Sequence, residues 1–218
     1  MSIKILVVDD HGIMREGLRL LIGQQEDMET VGEGADGREA IELARKFGPD
    51  VVLMDVSMPR LNGIEAARQI IKENHGTKVL ALSAYSNKSF VTDMLRAGAS
   101  GYILKDGVTN ELVRAIRAVT ANERYLSTKI AGIVIEDYIH SGNSGSEQPV
   151  LDNLTGKERE LLQLLVENKS SKEAARLLHV SVKTVDARRR GIMDKLGISG
   201  IAALTKFAIR EGLTSLEF

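Results

Sequence analysis

Short apolar runs alternate with longer amphipathic stretches over residues 3–121 of the chain. The apolar runs are rich in Val, Ile and Leu, as expected for strands that are covered on both faces. They predict strands at residues 3–8, 29–32, 51–54, 79–83 and 101–104. Helices are predicted at residues 13–24, 38–47, 63–74, 89–97 and 110–121. This alternation predicts an α/β domain, a five-stranded, doubly wound, flavodoxin-like parallel sheet.

The composition changes near residue 141, where Ser, Gly, Asn and Pro dominate as they do in linkers. We therefore predict a sheet domain over residues 1–124, a linker over 125–150 and a second domain over 151–218. The first part of the linker, residues 125–140, has a sequence that is also compatible with a helix.

The second domain is predicted to be small and all-α. Its predicted helices are residues 157–167, 171–178, a long helix ending near residue 196, and 200–211. Thr155 with Glu158 and Ser170 with Glu173 match the capping box that starts a helix. A helix, a tight turn and a second helix within a four-helix unit indicate a helix-turn-helix domain.

Composition narrows the class of protein. With 43% hydrophobic and 27% charged residues over 218 positions, the chain is typical of soluble proteins with two domains. Its longest apolar run near the start, residues 5–8, is too short for a signal peptide or a spanning helix, so we expect a cytoplasmic protein. The absence of cysteine excludes disulfides and thiolate-bound zinc, and the four scattered histidines have no recognisable metal-binding spacing, so any metal must be held by oxygen.

Charge is distributed unevenly between the two halves. Residues 151–218 contain twelve Lys and Arg against nine Asp and Glu, a net charge of +3. Because the whole chain carries −1, the first 150 residues carry −4. The imbalance is compatible with a nucleic-acid partner for the second domain but is too small to establish one.

Chemically active residues stand at the carboxyl ends of the predicted strands. Asp9 and Asp10 end the first strand, Asp55 the third and Ser83 the fourth, and Lys105 follows the fifth. In a doubly wound sheet these ends form the rim where ligands bind. Three carboxylates on one rim repel each other unless a hard cation joins them, so the pattern predicts a Mg²⁺ site.

These residues indicate phosphoryl chemistry. Asp55 can act as a nucleophile and become an aspartyl phosphate, while Mg²⁺ and Lys105 neutralise charge on the transferred group. The Ser83 hydroxyl can then bond a phosphoryl oxygen, and Tyr102 is a candidate to turn inward into the space that Ser83 vacates. We interpret His11 as a structural or solvated residue.

The long helix of the second domain has two faces. Val185, Ile192 and Leu196 recur at helical spacing toward the core. The opposite stripe contains Lys183, Asp186, Ala187 and Arg190, which we expect to read base edges in the major groove. Thr184 and Arg189, with the amides at the helix start, are better placed to contact phosphate.

The first 120 residues resemble the receiver domain of bacterial response regulators. The motifs are residues 5–11 (ILVVDDH), 52–59 (VLMDVSMP), 82–84 (LSA) and 101–105 (GYILK). The resemblance implies that Asp55 accepts phosphate from a sensor histidine kinase. It also implies that Asp10, Asp55 and the Ser57 carbonyl hold Mg²⁺ directly and that Asp9 helps through water. Phosphoryl contacts from the amides of Val56 and Ala84 are implied in the same way.

The second domain resembles the LuxR-type domain of the NarL/FixJ regulators. The resemblance rests on residues 154–160, 171–175, 182–185 and 192–196. It implies that the third helix reads double-stranded promoter DNA, that the last helix helps to pair subunits of a homodimer formed on phosphorylation, and that RNA polymerase is a further partner. The chain departs from the family at Arg188, where His is common, and at Gly191, where Asn is frequent.

Two other functions are weighed against a phosphorylation-gated transcription regulator. Haloacid-dehalogenase-like phosphohydrolases also use an aspartyl nucleophile, magnesium and lysine, but they carry Asp-x-Asp on one strand, whereas Asp9 and Asp10 are adjacent and Asp55 lies on another. We therefore expect no turnover enzyme. The third reading is a receiver that serves only as a dimerisation or partner-binding module, which the complete acidic cluster with Lys105 disfavours.

Overall fold

Two compact units make up the chain, Met1–Asn143 and Ser144–Phe218. The computed structural model describes residues 2–141, 150–211 and 213–214. The Ser- and Gly-rich part of the predicted linker, residues 142–149, lies outside the described residues. Among the described residues, no helix has the length and apolar character needed to cross a membrane.

The first unit is built on a parallel sheet. Its strands are β1 (Ile3–Val8), β2 (Met28–Gly34), β3 (Val51–Asp55), β4 (Lys78–Ser83), β5 (Gly101–Leu104) and β6 (Tyr125–Leu126). They lie in the order β2-β1-β3-β4-β5-β6, and every neighbouring pair is parallel. The predicted fold class is confirmed, and the five predicted strands are present with ends shifted by at most two residues.

Helices cover both faces of this sheet. They are α1 (Gly12–Gly23), α2 (Gly37–Phe47), α3 (Gly63–Glu73), α4 (Lys88–Arg96), α5 (Val108–Thr120) and α6 (Thr128–Ser141). One core cluster joins the sheet to α2, α3, α4 and α6, and the other joins it to α1 and α5. The central strands β1, β3 and β4 are apolar along most of their length because both of their faces are buried.

The segment after α5 belongs to the first unit, whereas the sequence predicted that a linker begins at residue 125. Tyr125–Leu126 pairs with β5 as a sixth strand, and α6 follows it. Ile130 on α6 is completely buried in the core, and Ile133 and Val134 pack against that core. A two-residue strand is too short to show an alternating pattern, so the sequence does not reveal it.

Among its described residues, the second unit contains four α-helices, as predicted. They are α7 (Gly156–Val166), α8 (Ser171–Leu177), α9 (Val182–Leu196) and α10 (Ile201–Arg210), packed around an apolar core. Both predicted capping boxes are present, at Thr155 with Glu158 and at Ser170 with Glu173. His179 takes a left-handed conformation (φ 53°) in the four-residue connection between α8 and α9.

Candidate functional site

The parallel register brings the predicted residues to one rim of the sheet. Asp9 directly follows β1, while Asp55 and Ser83 are the last residues of β3 and β4. Neighbouring strands end level with one another, since Val8 is paired with Met54. Lys105 follows β5 and lies on the same rim. Residues far apart in the chain therefore share one pocket because their strands are adjacent and parallel.

Lys105 joins two buried carboxylates in this pocket. Its Nζ lies 2.7 Å from Asp9 Oδ2 and 2.8 Å from Asp55 Oδ2. Asp9 and Asp55 are 0% and 2% exposed, and the Lys105 side chain is 13% exposed. Two buried negative charges therefore share one positive charge, which leaves the pocket with an excess of negative charge.

The excess of negative charge in the pocket affects the pKa values of Asp55 and Lys105. Burial raises the pKa of Asp55 to about 7; Lys105 opposes the rise, and the charge of Asp9 adds to it. Burial by itself lowers the pKa of Lys105, but the charges and hydrogen bonds of Asp55 and Asp9 outweigh burial and raise it. The lysine therefore stays charged, while Asp55 resists ionisation until another cation is present.

Asp10 and His11 complete an acidic cluster at the mouth of the pocket. Ligand atoms of Asp9, Asp10, His11 and Asp55 all lie within 4.8 Å of one another. His11 Nδ1 lies 2.8 Å from Asp10 Oδ1 and 3.2 Å from Asp9 Oδ1, and its backbone N–H donates to Asp9 Oδ1 at 2.9 Å. His11 is thus engaged with the cluster rather than merely solvated.

The Val56 amide does not face the pocket, although the resemblance implied that it contacts the phosphoryl group. The Val56 N–H donates to the Leu82 carbonyl at 3.0 Å, which continues the hydrogen bonding between β3 and β4. That amide is therefore occupied and turned away from the pocket. The next amide, of Ser57, instead donates to Asp55 Oδ1 at 3.3 Å. Ser57, rather than Val56, presents its N–H to the Asp55 carboxylate.

Ser83, Tyr85 and Tyr102 are linked by hydrogen bonds beside the pocket. Ser83 Oγ accepts the Tyr85 N–H at 3.0 Å, and the Tyr102 hydroxyl donates to the Tyr85 carbonyl at 3.1 Å. Tyr102 is completely buried, and burial raises its pKa to about 12. The ring already lies inward, although the sequence reasoning expected it to turn inward only after Ser83 moves. Ala84, next to Ser83, is exposed on the rim.

Gly63 allows α3 to start against the strand that carries Asp55. Its N–H donates to the Val56 carbonyl at 3.0 Å. A Cβ at this position would lie 1.9 Å from the Asp55 carbonyl oxygen, far inside contact distance. Glycine is therefore required for the backbone of Asp55 to hold its place, a role that strand and helix patterns do not reveal.

In the second unit, α9 separates an inward from an outward face as predicted. Val185 and Ile192 are completely buried and Leu196 is half-buried. The outward stripe of Lys183, Asp186, Ala187 and Arg190 is exposed. Thr184, Arg188, Arg189 and Gly191 are partly exposed at the edges of that stripe.

Three of the predicted DNA-contact residues also have partners within the second unit, and one of them, Arg190, donates from Nε to the Asp186 carbonyl at 3.4 Å. Asp186 Oδ1 accepts a hydrogen bond from the Ser171 hydroxyl at 2.9 Å, which ties α9 to the start of α8. Thr184 Oγ1 lies 2.8 Å from Ser181 Oγ, and its N–H donates to the same oxygen at 3.1 Å as part of the α9 cap. Ser171, which the sequence reasoning did not single out, thus orients the Asp186 carboxylate.

Family comparisons agree with the division into two units. The chain matches the response regulator receiver domain over residues 5–117 and the luxR family of bacterial regulatory proteins over residues 152–208. It is 36% identical to the transcriptional regulatory protein LiaR of Bacillus subtilis, over 98% of this chain and 100% of that protein. It is 33% identical to the transcriptional regulatory protein DegU of Brevibacillus brevis, over 97% of this chain and 94% of that protein.

A solved structure extends the comparison to a complex. RcsB from Salmonella enterica serovar Typhimurium, bound to promoter rprA in the presence of the phosphomimetic BeF₃⁻, is similar with a TM-score of 0.61. The two chains are 25% identical, and the match covers 95% of this chain and 98% of that one.

A doubly wound sheet with a carboxylate pocket at its rim, joined to a helix-turn-helix unit, defines a two-component response regulator. Its relatives are transcriptional regulators and not turnover enzymes, so the phosphohydrolase reading is set aside. The chain belongs to the response regulators that combine a receiver domain with a LuxR-type DNA-binding domain.

Proposed function

We propose that Asp55 is phosphorylated by a sensor histidine kinase and that the phosphoryl group controls dimerisation and sequence-specific DNA binding. The observation that carries this proposal is the buried contact of Lys105 with both Asp9 and Asp55. A lysine fixed at this position can neutralise a phosphoryl oxygen in place of the Asp55 oxygen that it now binds. The kinase follows from the receiver domain, which takes its phosphate from such an enzyme.

Mg²⁺ is the cation that fits this pocket best. Three of the four ligand groups that lie within 4.8 Å of one another are carboxylates, those of Asp9, Asp10 and Asp55, and hard oxygen donors are what Mg²⁺ prefers. The pocket also has more buried negative charge than Lys105 neutralises. Asp10, Asp55 and the Ser57 carbonyl would hold the ion directly, and Asp9 would act through water. When bound, Mg²⁺ supplies positive charge to the oxygens of the transferred group.

The backbone and Ser83 supply the remaining phosphoryl contacts. We assign the amide contact near Asp55 to Ser57, because its N–H faces the carboxylate while the Val56 N–H is taken by Leu82. Ala84 lies on the rim and offers the second amide. The Ser83 hydroxyl, now an acceptor for the Tyr85 N–H, would instead donate to a phosphoryl oxygen.

This exchange of hydrogen-bond partners at Ser83 would couple phosphorylation in the pocket to movement of the loop before α4. If Ser83 turns toward the phosphoryl group, the Tyr85 N–H loses its acceptor, and the loop before α4 moves with it. Tyr102 binds the Tyr85 carbonyl, so its ring follows the same loop. We therefore propose that Ser83 and Tyr102 act together through Tyr85 and that Tyr102 stabilises the inward arrangement rather than starting it.

DNA binding is assigned to the outward face of α9. Arg190 and Lys183 supply positive charge on an exposed helix of a size that fits the major groove, and Ala187 offers a methyl group to thymine. Asp186 can accept from a base while it also accepts from the Ser171 hydroxyl, because a carboxylate has lone pairs on both of its oxygens. Thr184, Arg189 and the first amides of α9 are assigned to phosphate. The complex of RcsB with a promoter in the presence of BeF₃⁻ supports this use of the fold.

The coupling between the two units is tested by selecting bound DNA from a random pool, with and without a small phosphodonor and Mg²⁺. We expect the donor to tighten binding of the wild-type protein, since pairing two recognition helices raises affinity through effective concentration. The Asp55→Asn variant should bind DNA but gain nothing from the donor. Equal stimulation of both proteins would contradict the proposal.

Variants of α9 test the assignment of DNA contacts. Arg190→Ala should cost about 1–3 kcal/mol and relax the preference at one base position. Arg189→Ala should weaken binding to all DNA sequences alike. It should also make the affinity less dependent on salt, by about the amount expected for the loss of one phosphate contact. Lys157→Ala, which removes an exposed positive charge from α7, is the control. Identical sequence preferences for Arg190→Ala and the wild type would show that α9 does not read bases as assigned.

A further inference from the structure

Helix α6 has apolar side chains on two faces, although only one face packs against the first unit. Ile130 is completely buried on the inner face. On the outer face, Ile135, Tyr138 and Ile139 are 58%, 83% and 63% exposed. These three residues are spaced three and four apart, so their side chains are neighbours on the helix surface. An amphipathic surface helix has one apolar face, so a second apolar face indicates a second contact.

Gly132 lies on the same outer face, one turn before Ile135 and two turns before Ile139. A Cβ added to Gly132 would meet no heavy atom within 4 Å, so nothing in the first unit requires a glycine there. A glycine in the middle of a helix is destabilising relative to alanine. Its position in the middle of α6 lets the backbone of another helix approach this face closely.

Charges beside the outer face favour a second copy of this chain as the partner. Lys129 and Glu136 are seven residues apart and lie along one edge of the face, Lys129 near the start of α6 and Glu136 near its end. Both are exposed, and neither has an ion-pair partner among residues 2–139 or 153–211. In an antiparallel pair of α6 helices, Lys129 would face Glu136 of the partner subunit, and the two-fold axis would repeat the contact. A parallel pair would bring like charges together.

We propose that the outer face of α6 is a dimer surface, on which two copies of the chain pair antiparallel about a two-fold axis. A two-fold interface uses the same patch on both subunits, as a self-complementary apolar stripe with a mixed-charge edge requires. The patch is one helix wide, so it supports a weak, concentration-dependent dimer rather than a permanent one. The inference names a surface for the dimerisation proposed above, but it does not depend on phosphorylation of Asp55.

Charge exchange between two variants tests this pairing in the full-length protein. Sedimentation velocity without phosphodonor would compare Lys129→Glu, Glu136→Lys and the wild type. Each single variant should dimerise about tenfold more weakly, because two exposed ion pairs change from attraction to repulsion. Mixing the two variants should restore dimerisation, since every contact between subunits is then of opposite sign. Lys72→Glu, an exposed change on α3, should leave dimerisation unaltered.

The mixing experiment separates pairing of two copies from packing within one chain. If the outer face were covered by another part of the same chain, mixing would restore nothing, and the proposal would be overturned. Wild-type protein that stays monomeric at every concentration would also overturn it. Dimerisation that a phosphodonor induces equally in all variants would contradict the α6 surface but leave the function of Asp55 intact. If mixing restores dimerisation but a phosphodonor has no effect, the α6 surface is supported and the proposed function of Asp55 is contradicted.

Discussion

Replacing Asp55 by Asn should stabilise the first unit in the absence of metal, although it removes the residue on which the chemistry depends. Asp55 is 2% exposed, and burial raises its pKa from the usual 3.8 to about 7. Each pKa unit corresponds to about 1.4 kcal/mol, so the ionised carboxylate costs the folded state about 4 kcal/mol. Asn keeps an oxygen for Lys105 but carries no charge. Lys105 loses its attraction to the Asp55 charge, which offsets part of this effect. We therefore expect the free energy of unfolding to rise by about 2–4 kcal/mol.

The stabilisation should depend on pH in a defined direction. Unfolded Asp55 loses its proton near pH 3.8, whereas the folded protein keeps it until about pH 7. Between these values the folded state binds the extra proton, so the stability of the wild type falls as pH rises and reaches its full deficit above about pH 7. The advantage of Asp55→Asn should therefore be largest near pH 8 and absent near pH 4.

Tyrosine fluorescence during urea unfolding measures this effect in the full-length chain. All four tyrosines, Tyr85, Tyr102, Tyr125 and Tyr138, lie in the first unit, and the chain has no tryptophan. The signal therefore reports unfolding of the first unit alone. Measurements in a chelator should show the gain, and added Mg²⁺ should reduce it by stabilising only the wild type. A variant that is less stable than the wild type at pH values above about 7 would refute the reasoning.

Asp106→Asn is the matched control for the loss of one negative charge. Asp106 follows Lys105 in the chain but is exposed. Its replacement should change the unfolding free energy by no more than about 0.5 kcal/mol at any pH, as is usual for surface positions. An equal gain in this control would show that general charge repulsion, rather than burial of Asp55, is responsible.

Variants of Gly63, Ser170 and Lys105 test other parts of the structure. Gly63→Ala should destabilise the first unit by about 3 kcal/mol or more, because its Cβ would lie 1.9 Å from the Asp55 carbonyl; Gly23→Ala, with open space around its Cβ, is the control in the same urea titration. Ser170→Ala should cost the second unit about 1 kcal/mol through loss of the α8 cap, measured by amide hydrogen exchange. Lys105→Gln should raise the pKa of Asp55 further, so the fall in stability should extend to higher pH; an unchanged pH profile would argue against the contact.

The strand-end residues could be predicted from the sequence because topology alone brings them together. Runs of Val, Ile and Leu identify the strands, and the alternation with helices requires parallel neighbours. Asp9 and Asp55 then lie on one rim whatever the details of their side chains. The same holds for α9, whose helical period separates Val185 from Arg190 without knowledge of the packing.

The sequence could not supply hydrogen-bond directions at the ends of the strands. Whether Val56 or Ser57 turns its N–H toward Asp55 depends on how far the bonding between β3 and β4 continues. The contact of Ser171 with Asp186 depends on the packing of α8 on α9. The short strand β6, and with it the extension of the first unit past residue 124, arises from long-range pairing that leaves no periodic pattern.

Intact-mass measurement of the full-length protein after incubation with an acyl phosphate and Mg²⁺ tests the central proposal most directly. We expect the mass of one phosphoryl group, removable by hydroxylamine and located on Asp55 by peptide mapping. The Asp55→Asn variant and metal-free wild type should gain nothing. If the wild type takes up no phosphoryl group from any donor, the proposal is contradicted and a receiver that serves only for binding is favoured. Equal uptake by the Asp55→Asn variant would also contradict the proposal.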